Sequence, residues 1–296
     1  MWAQQKAYAA SKSAYTFCTT SKGFSMSAAP SPLRVGIAGF GSIGQSIAKK
    51  IDAGIPGLQL TALGVRDADR ARNAYSFSNP PIYTDIDHLV DHCDVVVECA
   101  PGALLPRIAD PVLKAGKKLL VLSSGALLLN EQLIEVARQH GGQIMVATGA
   151  LIGLDAVTAA AEGEINTVRM VSRKPPIGFS GAPYVVQHNI DLNAITEPTL
   201  IYTGTAREAA SGFPANLNVA VSLSLAGVGA DRTVLEIWAD PTVTRNIHRI
   251  EVDSEDAKFS MEIQNIPSEN PKTGRITALS AVAALRKLVA PLRVGT

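Results

Sequence analysis

Two hydrophobic rhythms divide the chain near residue 150. Across 33–150, short apolar runs alternate with helical periodicity; the runs are Val35-Gly36-Ile37-Ala38, 58–65, 94–100, 118–122 and 143–147. A continuous apolar run is what a parallel strand covered on both faces requires. Helical pattern between such runs predicts a doubly wound parallel sheet. After Asp155 the rhythm changes. Segments 166–173, 199–203, 233–239, 247–252 and 258–263 alternate apolar and polar positions, which predicts a mostly antiparallel sheet with one wet face. A helix is expected over about 214–226, and another within 270–288, following a proline-containing turn.

The first run leads into Gly39-Phe40-Gly41-Ser42-Ile43-Gly44, with helical pattern directly after it. This is G-x-G-x-x-G in the strand-to-helix setting of a dinucleotide site. Gly39 permits the tight turn, Gly41 lets backbone approach a pyrophosphate, and Gly44 lets helix and strand pack closely. The helix opening at Ser42, Ile43 and Gly44 offers N–H groups to phosphate. The fold class is therefore α/β: a Rossmann-type doubly wound parallel sheet, followed by a second α+β domain on the mostly antiparallel sheet. At the second strand's tip, Val65-Arg66-Asp67 leaves the cofactor open between NAD and NADP. Arg66 can face a 2′-phosphate, and Asp67 can reach a ribose 2′-hydroxyl or cap the next helix. The fourth strand ends in Cys99-Ala100-Pro101-Gly102, where a backbone turn would lie over the cofactor. Cys99 there reads as a small packed residue rather than a nucleophile.

With 296 residues, the chain has room for two domains and a sizeable core. The expected division is a leader over 1–31, a dinucleotide domain over 32–150, a substrate domain over 151–270, and a helix over 271–296 returning to the dinucleotide domain. The leader is rich in Ser, Ala, Thr and Lys and lacks acidic residues. It reads as a disordered leader, an upstream start with Met26 as the natural one, or an organelle transit peptide. A net charge of +1 provides no basic field for nucleic acid, and no apolar run reaches membrane-spanning length. Cys18, Cys93 and Cys99 have no metal-ligand spacing, and their use fits a reducing cytoplasm. No metal site is expected.

GALIGLDA (149–156), FPANLNVA (213–220), ADPTVTRNIHRIEV (239–252) and NPKT (270–273) resemble, in order, motifs of the L-aspartate dehydrogenases. That family is related in architecture to dihydrodipicolinate reductase, and the resemblance covers nearly everything after residue 33. It implies NAD(P)-dependent oxidative deamination of L-aspartate, through iminoaspartate, to oxaloacetate and ammonia. The reaction is reversible in principle, and its iminoaspartate can feed NAD synthesis. The resemblance places Ala150 and Asn218 at the nicotinamide and makes His248 the catalytic histidine. A homodimer is expected, through the apolar strands of the second half.

Residue chemistry is consistent with this. A histidine titrates near working pH and suits proton transfer. On an alternating strand His248 shares a face with Ile250 and Val252, so it points to the core or the cleft, while Arg249 points away. Holding two carboxylates calls for Lys or Arg. Lys174, Arg245, Arg249, Lys272 and Arg275 lie in or beside the relevant segments; Arg245 and Lys272 are retained as substrate contacts, with Thr273 as a hydroxyl donor. The alternatives are a dihydrodipicolinate-type reductase, disfavoured by the missing H-H-x-x-K and SGTA segments, and a cofactor-binding redox sensor without turnover.

Overall fold

The five apolar runs of the first half lie side by side in a parallel sheet, joined by a sixth strand that no apolar run announced; the order is β3 (Ile82–Thr84), β2 (Leu58–Gly64), β1 (Leu33–Ala38), β4 (Val95–Glu98), β5 (Lys118–Val121), β6 (Gln143–Val146). A computed structural model describes residues 31–214, 217–266 and 274–296. The expected leader, apart from Ser31, and the NPKT segment with Lys272 and Thr273 lie outside the described residues. The chain runs β1 (Leu33–Ala38), α1 (Ser42–Asp52), β2 (Leu58–Gly64), α2 (Ala68–Ala74), β3 (Ile82–Thr84) and β4 (Val95–Glu98). It continues through α3 (Leu105–Lys114), β5 (Lys118–Val121), α4 (Ser124–Leu128), α5 (Gln132–His140) and β6 (Gln143–Val146). The order reverses between β1 and β4, which opens a crevice at the carboxyl ends of those strands. Val35, Ile37, Val95 and Val97 are fully buried, as strands covered on both faces require. Glu98, also fully buried, accepts hydrogen bonds from the backbone N–H groups of Leu122 and Ser123 and from the Ser123 hydroxyl. This pins the carboxyl end of β4 to that of β5.

The second half comprises α6 (Leu154–Ala160), β7 (Ile165–Lys174), α7 (Pro183–Gln187), β8 (Thr199–Thr205), α8 (Ala206–Gly212) and α9 (Asn218–Ala226). It ends with β9 (Thr233–Ala239), β10 (Asn246–Ser254), β11 (Lys258–Asn265) and α10 (Ile276–Val289). Its sheet is ordered β11-β10-β7-β9-β8, antiparallel except for the β7–β9 pair. One face buries Val168, Met170, Leu235, Ile237, Ile250 and Val252 against α6 to α9. The other face carries Arg169 between Glu236 and Glu251, at 2.7 and 2.8 Å. Of the helix expected over about 214–226, Asn218–Ala226 is helical; residues 215–216 lie outside the described residues. Phe213 is fully buried against Tyr184 and Tyr202.

Helix α10 lies against α1. Ala278, Ala281, Val282 and Leu285 are buried in one apolar cluster with Ile47, Ile51, Leu60 and Leu63. The Ser280 hydroxyl accepts from the Gly149 N–H at 3.0 Å, so the same helix anchors the loop after β6. Among the described residues, no helix is long and apolar enough to cross a membrane.

Candidate active site

The crevice at the switch point is a cleft of about 840 Å³ lined by Gly39, Gly41, Ser42, Arg66, Cys99 and Ala100, together with Phe40, Asp67, Arg70 and Arg107. Gly39 has φ +96°, and a Cβ there would lie 2.7 Å from the Cys99 carbonyl oxygen. A side chain is therefore excluded by conformation and by space. Helix α1 starts without a side-chain cap and without an acid in its first turn, which leaves its N-terminal amides available to an anion. The volume and the bare backbone fit a dinucleotide. Ile43 and Gly44 do not line the cleft: Ile43 packs its side chain on the apolar core, and Gly44 is buried beneath the turn. Burial pushes the Cys99 thiol well above the ordinary range, so it is no nucleophile at neutral pH. Asp67 caps α2 by accepting from the Arg70 N–H at 2.9 Å. Arg66 is exposed at the rim, and Arg107 is held by Asp87 at 2.6 Å.

A second, smaller cavity of about 70 Å³ lies between the carboxyl ends of β5 and β6 and the second sheet. Ala150, Asn218, His248, Lys174, Asn246 and Asn265 line it, with Thr277 from α10. Alternation on β10 turns Asn246, His248, Ile250 and Val252 inward, and His248 is only 3% exposed. Ser172 stands opposite His248 in the β7–β10 register, and its Oγ lies 3.1 Å from Nδ1. Lys174 sits two residues further along β7, on the same face, and is 4% exposed. Its ammonium lies over the Phe179 ring at 5.9 Å. Burial pushes Lys174 down to about 8. Burial, then the neighbouring Lys174 charge, pushes His248 down to about 3. This differs from a histidine titrating near neutrality: desolvation holds the imidazole neutral and lowers its basicity.

Asn218 accepts from the Gly125 N–H at 3.0 Å through Oδ1, and its carbonyl accepts from the Ser124 hydroxyl at 2.6 Å. The Nδ2 donor is what its side chain can still offer the cavity. Asn265, 3% exposed at the end of β11, donates from Nδ2 to the Ala150 carbonyl at 2.8 Å. Its Oδ1 is buried and has no hydrogen-bond partner among the described residues.

Arg245, expected beside a substrate carboxylate, is instead exposed on the turn before β10 and lines neither cavity. Arg249 turns outward to Glu251 at 2.9 Å. The described cation inside the small cavity is Lys174, which sequence reasoning ranked below Arg245 because burial of a lysine leaves no mark in a local pattern. Asn265 was missed altogether, since a polar residue closing an alternating strand looks like any edge position. Among the described residues, no group of His, Cys, Asp and Glu is arranged to hold a metal. His188 is exposed and stacks on Tyr184 at 3.9 Å, outside both cavities.

Comparison with known proteins follows the same division. A family described as the NAD-binding domain of homoserine dehydrogenase matches residues 39–147. One described as the C-terminal part of aspartate dehydrogenase matches residues 155–288. An L-aspartate dehydrogenase of Bradyrhizobium diazoefficiens is 58% identical over 90% of this chain and 96% of its own length. One from Methanosarcina mazei is 41% identical over 89% of this chain and 100% of its own. In fold, the aspartate dehydrogenase structure from Thermotoga maritima superposes with a TM-score of 0.70 at 22% identity, covering 89% of this chain and 99% of that one. A cofactor cleft at the sheet's switch point, a buried histidine lining a second cavity between the two sheets, and relatives this similar over nine-tenths of the length lead to one assignment: the chain belongs to the L-aspartate dehydrogenase family.

Proposed function

We propose that this chain catalyses the NAD(P)-dependent oxidative deamination of L-aspartate, through iminoaspartate, to oxaloacetate and ammonia. The observation that carries this reading is the pairing of buried, neutral His248 with buried Lys174 in a cavity bounded by Ala150 and Asn218. In this reading residues 32–150 hold the cofactor, 151–270 supply the substrate side, and 271–296 close the cofactor side. The dinucleotide would lie on Gly39, Gly41, the amides of Ser42, Ile43 and Gly44, and the Cys99-Ala100 backbone, reaching Ala150 and Asn218. When bound it supplies the hydride acceptor. Arg66, beside Arg70, allows a 2′-phosphate, and Asp67 leaves a carboxylate oxygen for a 2′-hydroxyl, so both NAD and NADP are accepted.

Lys174 pairs with one substrate carboxylate and sets Cα of the substrate against His248. A dianion next to Lys174 offsets the charge that depresses the imidazole and raises its basicity. His248 then takes a proton from the water that adds to the C=N carbon of iminoaspartate, and returns it to the departing nitrogen. For this Nε2 must be the bare nitrogen, so Nδ1–H donates to the Ser172 hydroxyl. The chain would act in the cytoplasm as a homodimer joined through the outer face of the second sheet, where Leu200 and Val234 stand exposed. The test is reduction of NAD and of NADP by the purified protein with L-aspartate, alongside L-malate, other amino acids and polyols. Turnover with polyols or malate and none with aspartate overturns the proposal.

A further inference from the structure

We infer that Asn265 is the specificity-determining residue that recognises the substrate's nitrogen, its Oδ1 accepting a hydrogen bond from the group on Cα. This rests on the aspartate reading above and adds to it how the site distinguishes an amine from a hydroxyl. The orientation of the amide is set by its other end: Nδ2 donates to the Ala150 carbonyl at 2.8 Å, which leaves Oδ1, packed beside Gly274 in the cavity wall, as the acceptor. That oxygen is buried and has no hydrogen-bond partner among the described residues. A buried amide oxygen in that state calls for a donor. Among the described residues no Asp or Glu lines the cavity, so Oδ1 is a fixed, uncharged acceptor in a wall that Lys174 also lines.

A dicarboxylic amino acid presents two groups that need donors and one that needs an acceptor. Its carboxylates are repelled by Oδ1 and drawn to Lys174; its nitrogen is drawn to Oδ1. The preference persists along the reaction, because an ammonium, a neutral amine and an iminium all carry N–H. A 2-hydroxy acid differs. Its oxidation removes the single O–H proton as hydride leaves carbon, and the product carbonyl has no hydrogen to give. Oδ1 would then face a lone pair in the transition state. A site built to accept from the reacting substituent therefore favours C–N over C–O oxidation, by the penalty for leaving a buried polar atom unpaired.

The test uses Asn265→Leu, which keeps bulk and removes the acceptor, and Asn265→Asp, which keeps the acceptor and gives up the donation to Ala150. Three quantities are measured on wild type and both variants: kcat/KM for L-aspartate, the inhibition constant of succinate, and the Kd of reduced cofactor by fluorescence titration. Succinate carries both carboxylates and no nitrogen. Asn265→Leu should lower kcat/KM for aspartate by about 10- to 100-fold, the range for losing one hydrogen bond to a charged group. Succinate inhibition and cofactor binding should stay within about twofold. Asn265→Asp should retain the preference for aspartate over succinate, and it decides the matter if Asn265→Leu does not fold. Parallel loss of aspartate and succinate, or a change confined to the cofactor's Kd, overturns the inference; the latter would assign Oδ1 to the nicotinamide carboxamide. Wild-type protein without aspartate turnover would instead overturn the substrate reading on which the inference rests.

Discussion

Ser172 and His248 face each other across the β7–β10 ladder, with hydroxyl oxygen and Nδ1 3.1 Å apart in a buried setting. One ring nitrogen is thereby occupied, which orients the other. His248→Ala should lower turnover by roughly a hundredfold to ten-thousandfold, the range for a positioned general base. His248→Asn should be nearly as poor, since an amide does not exchange protons near neutrality. Cofactor binding, read by fluorescence titration, should be unchanged in both. Near-normal turnover in either variant would make His248 a packing residue.

Lys174 gives a prediction in two directions. Its pKa is depressed to about 8 from the ordinary 10.5, so between those values the unfolded chain binds more protons than the folded one. Wild-type stability should therefore rise with pH across that window, and below it the buried charge opposes folding. Lys174→Met should raise KM for aspartate by about 10- to 100-fold. The wild-type KM should climb as pH rises past about 8, where the ammonium is lost; this dependence should vanish in Lys174→Met. A flat wild-type profile would remove Lys174 from carboxylate binding.

The glycine turn separates folding from binding. A Cβ at Gly41 meets nothing within 4 Å, whereas one at Gly44 would collide with the Gly39 carbonyl oxygen. Gly41→Ala should fold normally and bind both cofactors more weakly, because the added methyl stands where the pyrophosphate approaches. Gly44→Ala should lose melting temperature as well as affinity. Equal melting temperatures and equal affinities for the two variants would show that the turn does not carry the phosphates.

Arg66→Ala should weaken NADP more than NAD, by about 1–3 kcal/mol for a lost charged hydrogen bond. Arg70 shares the rim of the cleft, so the double variant should extend the difference. Equal losses for both dinucleotides would take Arg66 away from the 2′ position.

The first sheet was legible in the sequence because its strands are buried on both faces. A run as short and uniformly apolar as Val95-Val96-Val97, bounded by polar residues, suits a central strand and little else. The inward direction of His248 was legible too, as β10 keeps strict alternation from Asn246 to Ser254. Short elements were not. Helices α2, α4, α7 and α8 each span five to seven residues. Over that length a helical period barely completes itself, and tertiary packing decides the conformation. Arg245 was preferred to Lys174 for a related reason: Lys174 sits at a strand's end, where alternation puts it inside while composition suggests a surface charge. Asn265 is defined by its partner Ala150, 115 positions earlier, and no local pattern carries that information.

The seat of α10 bears on how the protein is made. The first sheet's apolar layer around Ile47, Ile51 and Leu60 is completed by Ala278, Ala281, Val282 and Leu285, which are made more than 200 residues after it. A nascent chain stopped anywhere before residue 276 carries a nucleotide-binding half with an open apolar flank, and with Gly149 lacking its Ser280 acceptor. Cofactor affinity should thus be acquired only once α10 has been made and seated, and dividing the gene near residue 150 should yield a first fragment that aggregates unless the second is supplied with it.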